Sequence, residues 1–149
     1  MSKSVPELVT PKERRSSHQT QWAAQFAVAS ELCKRGYEVA FTMGNRTPLA
    51  DLMVVSPKEK TMFLVDVKGL SRPNAWIIHK KQRRDNLFYI LTHVPDDRSN
   101  QFFILTQQKI DAYIDSYLKR HGRSQDYKFT GFNWSQVKDD ENEWGILPA

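Results

Sequence analysis

Apolar positions along this chain change period twice. Over residues 17–35 they recur at helical spacing. Trp22, Phe26, Ala29 and Cys33 form one stripe, with Gln25, Val28 and Leu32 beside it. Gly36 follows where a helix would end in a left-handed residue. Tyr37-Glu38-Val39-Ala40-Phe41-Thr42 then alternates as a half-buried strand does. Gly44-Asn45-Arg46-Thr47-Pro48 reads as a loop and residues 50–56 as a second strand. Pro57-Lys58-Glu59-Lys60 is a tight turn leading into a third strand over 61–68, so strands two and three make a hairpin. A loop over 69–74 precedes a short strand at Trp76-Ile77-Ile78. The run His79-Lys80-Lys81-Gln82-Arg83-Arg84 either begins a short helix or stays a loop. Residues 87–94 and 101–105 are two further strands, separated by a polar turn. The helical period returns with Ile110, Tyr113, Ile114 and Tyr117, in a helix capped by Thr106 and ended by Gly122. The tail from Tyr127 sets Phe129, Phe132, Trp134 and Trp144 among charges. It is expected to pack back in short irregular pieces, with a turn of helix near Trp134 and both tryptophans plugging the core.

The order helix, three strands, basic segment, two strands, helix predicts an α/β architecture, a mixed central sheet flanked by helices. The 149 residues suit one domain over 17–149. Residues 1–16, with their prolines and the cluster Lys12-Glu13-Arg14-Arg15, read as a flexible arm. No apolar run approaches the roughly 20 residues a membrane-spanning helix needs, and the N-terminus has no signal-peptide core. The single cysteine, Cys33, allows no intrachain disulfide, which suits a reducing cytoplasm, and its place in the helical pattern makes it a small core residue. His18, His79, His93 and His121 lack zinc spacing. A net charge of +5 and a pI near 9.4 permit a nucleic-acid partner without establishing one.

The chemistry concentrates in two apolar runs. Asp51 opens Asp51-Leu52-Met53-Val54-Val55, and Asp66-Val67-Lys68 closes the run that begins at Met62. Side chains two apart on a strand share a face, so Asp66 and Lys68 continue an otherwise apolar face formed by Met62 and Leu64. Acids are depleted in strand interiors, which favours a site over a solvated edge. The hairpin can bring both carboxylates to one point. Two carboxylates and an ammonium group suit a divalent cation and a phosphodiester.

These residues resemble the PD-(D/E)xK nuclease superfamily, the restriction-endonuclease-like fold with core order α-β-β-β-α-β. Asp51 matches its first acid, and Asp66 and Lys68 match its triplet. The stretch from Gln25 to Val39 resembles the first helix and strand of its small resolvase-like branches. The resemblance covers roughly residues 20–105. It implies a metal-dependent endonuclease acting on DNA, with Mg²⁺ or Mn²⁺ held by Asp51, Asp66 and the Val67 carbonyl, and a water activated by Lys68. It also implies that Gln82 supports the site from behind, and it allows a homodimer.

Two positions depart from the family pattern. Ala50 stands where a proline is usual, which changes no ligand. Gln25 stands where many members carry a metal-binding glutamate on the first helix. Its carbonyl can ligate but brings no charge. Glu31, the other candidate on that helix, lies about 600° further round and off Gln25's face. Lys80, Lys81, Arg83 and Arg84, with Asn45 and Arg46 from the loop before Asp51, are candidates to grip the phosphate backbone, against a plain solvated surface. Two other classes stay open: a nucleic-acid-binding module on the same fold with lost catalysis, and a protein-interaction component that touches no nucleic acid.

Overall fold

The structure, a computed structural model, describes residues 14–42 and 49–149. Asn45, Arg46 and most of the N-terminal arm lie outside the described residues. Helix α1 spans Ser17–Lys34 and starts in a capping box. The Ser16 hydroxyl accepts from the Gln19 amide, and the Gln19 side chain accepts from the Ser16 amide. Gly36 turns the chain at φ +91° into strand β1, Glu38–Phe41. Strand β2, Leu52–Val55, and β3, Met62–Leu70, form the expected hairpin. A short strand β4, Trp76–Ile77, precedes β5, Leu87–His93, and β6, Gln101–Thr106. Helix α2, Gln107–Arg120, is capped by the Thr106 hydroxyl on the Lys109 amide, and Gly122 follows it at φ +60°. The tail adds β7, Gly131–Phe132, and two 3₁₀ turns, Trp134–Asp140 and Trp144–Ile146.

The protein is α/β. Its main sheet has the order β1-β2-β3-β5-β6, with β3 and β5 parallel and every other pair antiparallel. A parallel pair requires a crossover, most often a helix. Here residues 71–86 make it with β4 and the basic run, which forms neither helix nor strand. Strand β4 pairs with β7 in a separate two-stranded sheet, a contact that no local pattern announced. It depends on Gly131, where a Cβ would lie 1.9 Å from the Trp76 carbonyl oxygen.

Two apolar layers sandwich the sheet. On one face α1 packs Ala24, Val28 and Leu32 against Leu52, Phe63, Val65 and Val67. On the other, α2 packs Ile110 and Ile114 against Tyr89, Leu91 and Leu105. β3 is therefore the central strand, buried on both faces from Phe63 to Val67. Trp144 joins the first layer, and Trp134 stacks on Trp76 at 5.2 Å beside the second, so both act as core plugs.

The face of α1 differs from the expected stripe. Its buried residues are Thr20, Ala24, Gln25, Val28, Ala29 and Leu32, whereas Phe26 is 58% exposed and Cys33 is exposed. Cys33 is thus a surface thiol and no core residue. The reason is close approach: at Gly69 of β3 a Cβ would lie 2.7 Å from the Ala24 Cβ and 3.0 Å from the Thr20 carbonyl oxygen. A helix this near the sheet must turn its small residues inward and its aromatics out.

Candidate active site at the end of the central strand

β2 leaves its partner at Leu52, opposite Val65, while β3 runs on to Leu70. Past that point one edge of β3 has no strand neighbour, and its buried backbone groups need other partners. Side chains supply them. Asp51 Oδ2 accepts from the Val67 amide at 2.7 Å. Gln21 donates from Nε2 to the Val67 carbonyl at 2.6 Å and accepts at Oε1 from the Gly69 amide at 3.2 Å. Gln25 Nε2 donates to Asp51 Oδ1 at 3.3 Å. Asp51 and Gln21 thus extend the ladder where β2 stops, with Gln25 holding Asp51, and this puts Asp51 beside the triplet.

Asp66 lies on the α2 side of the sheet, in register with Tyr89 of β5. It is 1% exposed. The Lys68 ammonium lies 3.1 Å from Oδ1, as the shared strand face requires. The second ammonium group is that of Lys81, which donates to Asp66 Oδ2. Asp66 Oδ1 accepts no hydrogen bond, because Lys68 is within ion-pair reach but not aligned to donate.

Electrostatics mark the same point. Burial pushes the Asp51 carboxyl above its usual range, and the negative charge of Asp66 pushes it further. The Val67 amide and the ammonium groups of Lys68 and Lys81 oppose the shift. Two mutually repelling carboxylates, one with a buried oxygen that accepts no hydrogen bond, fit a hard cation such as Mg²⁺ or Mn²⁺. Asp51 and Asp66 would hold it. The Val67 carbonyl, with one lone pair already used by Gln21, and Gln25 are the neutral oxygens nearby. Among the described residues no group of three or more Asp, Glu, His or Cys side chains could hold a metal. The charged part of this donor set is therefore the two aspartates.

The raised Asp51 carboxyl makes a testable sign. Below about pH 3 both folded and unfolded chains carry it protonated and it contributes nothing. As pH rises through its raised folded value, ionising it costs folding free energy. Asp51→Asn keeps an acceptor for the Val67 amide and removes that cost. In metal-free buffer the variant is expected to melt a few degrees higher than wild type at neutral pH, with the gap closing in acid. An equal or lower melting temperature at neutral pH would contradict this account.

The basic run is less free than its sequence suggests. Lys80 pairs with Asp115, Lys81 with Asp66, and Arg83 with Asp111 at 2.9 Å. The run is pinned from α2 by Gln107, which is buried. Its Nε2 donates to the carbonyls of Lys81 and Gln82 at 3.3 and 3.0 Å, and its Oε1 accepts from the Arg84 amide at 2.8 Å. Lys81, Gln82 and Arg84 line an open cleft with Leu49 and Leu87, next to the acids.

Sequence reasoning missed Gln21, although it lies four residues before Gln25 and so on the same helical face. It placed Lys81 on the backbone clamp, whereas the structure sets its ammonium on Asp66. Tyr89 was also missed. Its hydroxyl is buried without a partner, and burial, with the charges of Asp66 and Asp111, pushes its pKa up. Tyr89→Phe removes a polar atom with nothing to bond, so it is expected to raise the melting temperature, by the equivalent of about 1 kcal/mol. A lower melting temperature would mean the hydroxyl is satisfied, for instance by a buried water.

No family model matches the sequence, and no curated protein does. In fold, the chain is similar to a bacterial homing endonuclease, I-Ssp6803I, with a TM-score of 0.57 and 17% identity over 89% of this chain and 91% of that one.

Proposed function

We propose that the chain is a metal-dependent endonuclease of the PD-(D/E)xK type that hydrolyses DNA phosphodiester bonds. The observation that carries this reading is Asp66, a buried carboxylate on the central strand with Lys68 at 3.1 Å and the raised Asp51 carboxyl beside it. Its fold likeness to a homing endonuclease supports the reading. When bound, Mg²⁺ or Mn²⁺ supplies charge neutralisation at the phosphate and lowers the pKa of a water. The chain's own part is to orient and compensate. Lys68 holds positive charge where the attacked phosphate gains negative charge, and it can position the nucleophilic water. Gln25 fixes Asp51 by its hydrogen bond to Oδ1. Arg84 and Gln82, facing the cleft, grip the strand through its phosphates, which gives affinity without sequence preference.

One observation favours a second reading, a nucleic-acid-binding module without catalysis. Asp66 already faces two ammonium groups, so its charge is met without any metal. Two measurements separate the readings. The endonuclease takes up Mn²⁺ in a calorimetric titration and cuts supercoiled plasmid, with single-stranded and branched DNA as further substrates. The module binds DNA, gives no Mn²⁺ heat and cuts nothing.

A further inference from the structure

A cavity of about 300 Å³ lies at the far end of β3, lined by Arg14, Arg15 and Arg72 together with Ser17, Ser71 and Asp96. Three guanidinium groups against one carboxylate leave an excess of two positive charges. Arg15 is committed: it donates to the Val94 carbonyl and pairs with Asp96 at 3.2 Å. Among the described residues Arg14 and Arg72 have no hydrogen-bond or ion-pair partner. Unpaired arginines lining one concave surface offer it forked donors, which can take a phosphate through two parallel hydrogen bonds. Ser17, the first residue of α1, brings the positive end of an 18-residue helix to the same wall, which adds to the field.

The position of this cavity along β3 decides what kind of phosphate it suits. The cleft holding Lys81, Gln82 and Arg84 is lined by Leu87, which is in register with Leu64, two residues before Asp66. The arginine cavity involves Gly69 and Arg72, three and six residues after Asp66. Positive groups therefore lie on both sides of the acids. At about 3.3 Å per residue Gly69 is roughly 10 Å beyond Asp66, near enough for one bound nucleic-acid strand to meet both. We propose that Arg14 and Arg72 form a subsite for a backbone phosphate of the bound DNA that flanks the phosphate at Asp66. The proposal rests on the endonuclease reading, and it adds a contact beyond the cleft that the basic run lines.

The test is Arg14→Ala/Arg72→Ala in the full chain, with binding to duplex DNA followed by fluorescence anisotropy in EDTA across a salt series. Among the described residues neither side chain has a partner, so the melting temperature should match wild type. Each lost phosphate contact lowers the salt slope by about 0.9. The double variant removes one phosphate contact and is expected to lose about 0.9 from the slope, with roughly tenfold weaker binding at moderate salt. In wild type a single neutral methylphosphonate, scanned through the positions flanking the cut, should weaken binding at one of them. In the variant the same substitution should cost nothing more. An unchanged slope in a variant that still binds DNA overturns the subsite and leaves the nuclease standing. The expected slope loss in a protein that cuts nothing keeps the subsite and sinks the nuclease. Wild-type protein that binds no DNA sinks both. If calorimetry shows that inorganic phosphate binds wild type and not the variant, while the DNA slope is unchanged, the cavity takes free phosphate and the proposal falls.

Discussion

Asp66→Asn is expected to abolish metal-dependent cleavage, slowing it by about 10³-fold or more in a plasmid-nicking time course with Mn²⁺. Asparagine keeps the shape of the side chain and one carbonyl oxygen, so the packing against Tyr89 and the central strand survives. What it loses is the charge that two ammonium groups meet and that the proposed divalent cation would use. Removing one partner of a fully buried ion pair costs several kcal/mol, because the other charge is left stranded. That does not apply in full here. The Lys68 and Lys81 side chains are 34% and 29% exposed and can turn toward water. Asp66→Asn should therefore fold with only a modest change in melting temperature while losing Mn²⁺ binding by calorimetry. A variant that cuts at the wild-type rate would show that the chemistry is elsewhere. One that fails to fold would show that the carboxylate is chiefly structural.

The second large effect separates the two lysines. Lys68→Ala is expected to lower the cleavage rate by about 10²–10⁴-fold, the usual worth of a group that positions or deprotonates a nucleophile, with Mn²⁺ binding retained. Lys81→Ala should behave differently. In the absence of DNA the Lys81 ammonium sits on Asp66 Oδ2, the carboxylate a metal would use. Removing it deletes a competitor, so Mn²⁺ should bind a few-fold tighter, in line with the ~0.2–1 kcal/mol of a partly exposed ion pair. The cleavage rate should fall less than for Lys68→Ala. Calorimetry and single-turnover cleavage on both variants check this. If Lys81→Ala is the slower enzyme and Lys68→Ala near wild type, Lys81 is the lysine that does the chemistry. The physical basis of the distinction is anchoring. Lys68 is on the rigid central strand, while Lys81 is on a crossover segment that Gln107 holds only by its backbone.

Much of the fold was legible because it is local. The apolar run over residues 61–68 and the turn before it gave the β2–β3 hairpin, and the Thr106 cap with its helical repeat gave α2. The fold of α1 was legible, but the face it buries was not. A hydrophobic stripe through Trp22 and Phe26 looked inward. Packing against Gly69 instead selected Thr20, Ala24 and Val28, because only small side chains permit that separation. The β4–β7 pairing was hidden because its strands are two residues each and more than fifty positions apart.

For the site, the chain by itself determined that Asp66 and Lys68 share a face, since strand periodicity admits no other outcome for residues two apart. It also determined that Asp51 opens the neighbouring strand of the same hairpin. Only the tertiary structure decided the rest. Gln21 and Asp51 became partners for the edge of β3 because β2 ends four residues into the pairing. Lys81 reached Asp66 because a crossover without a helix folds the basic run back over the central strand. Contacts of that kind depend on where non-adjacent segments lie in space, and local residue patterns carry no information about them.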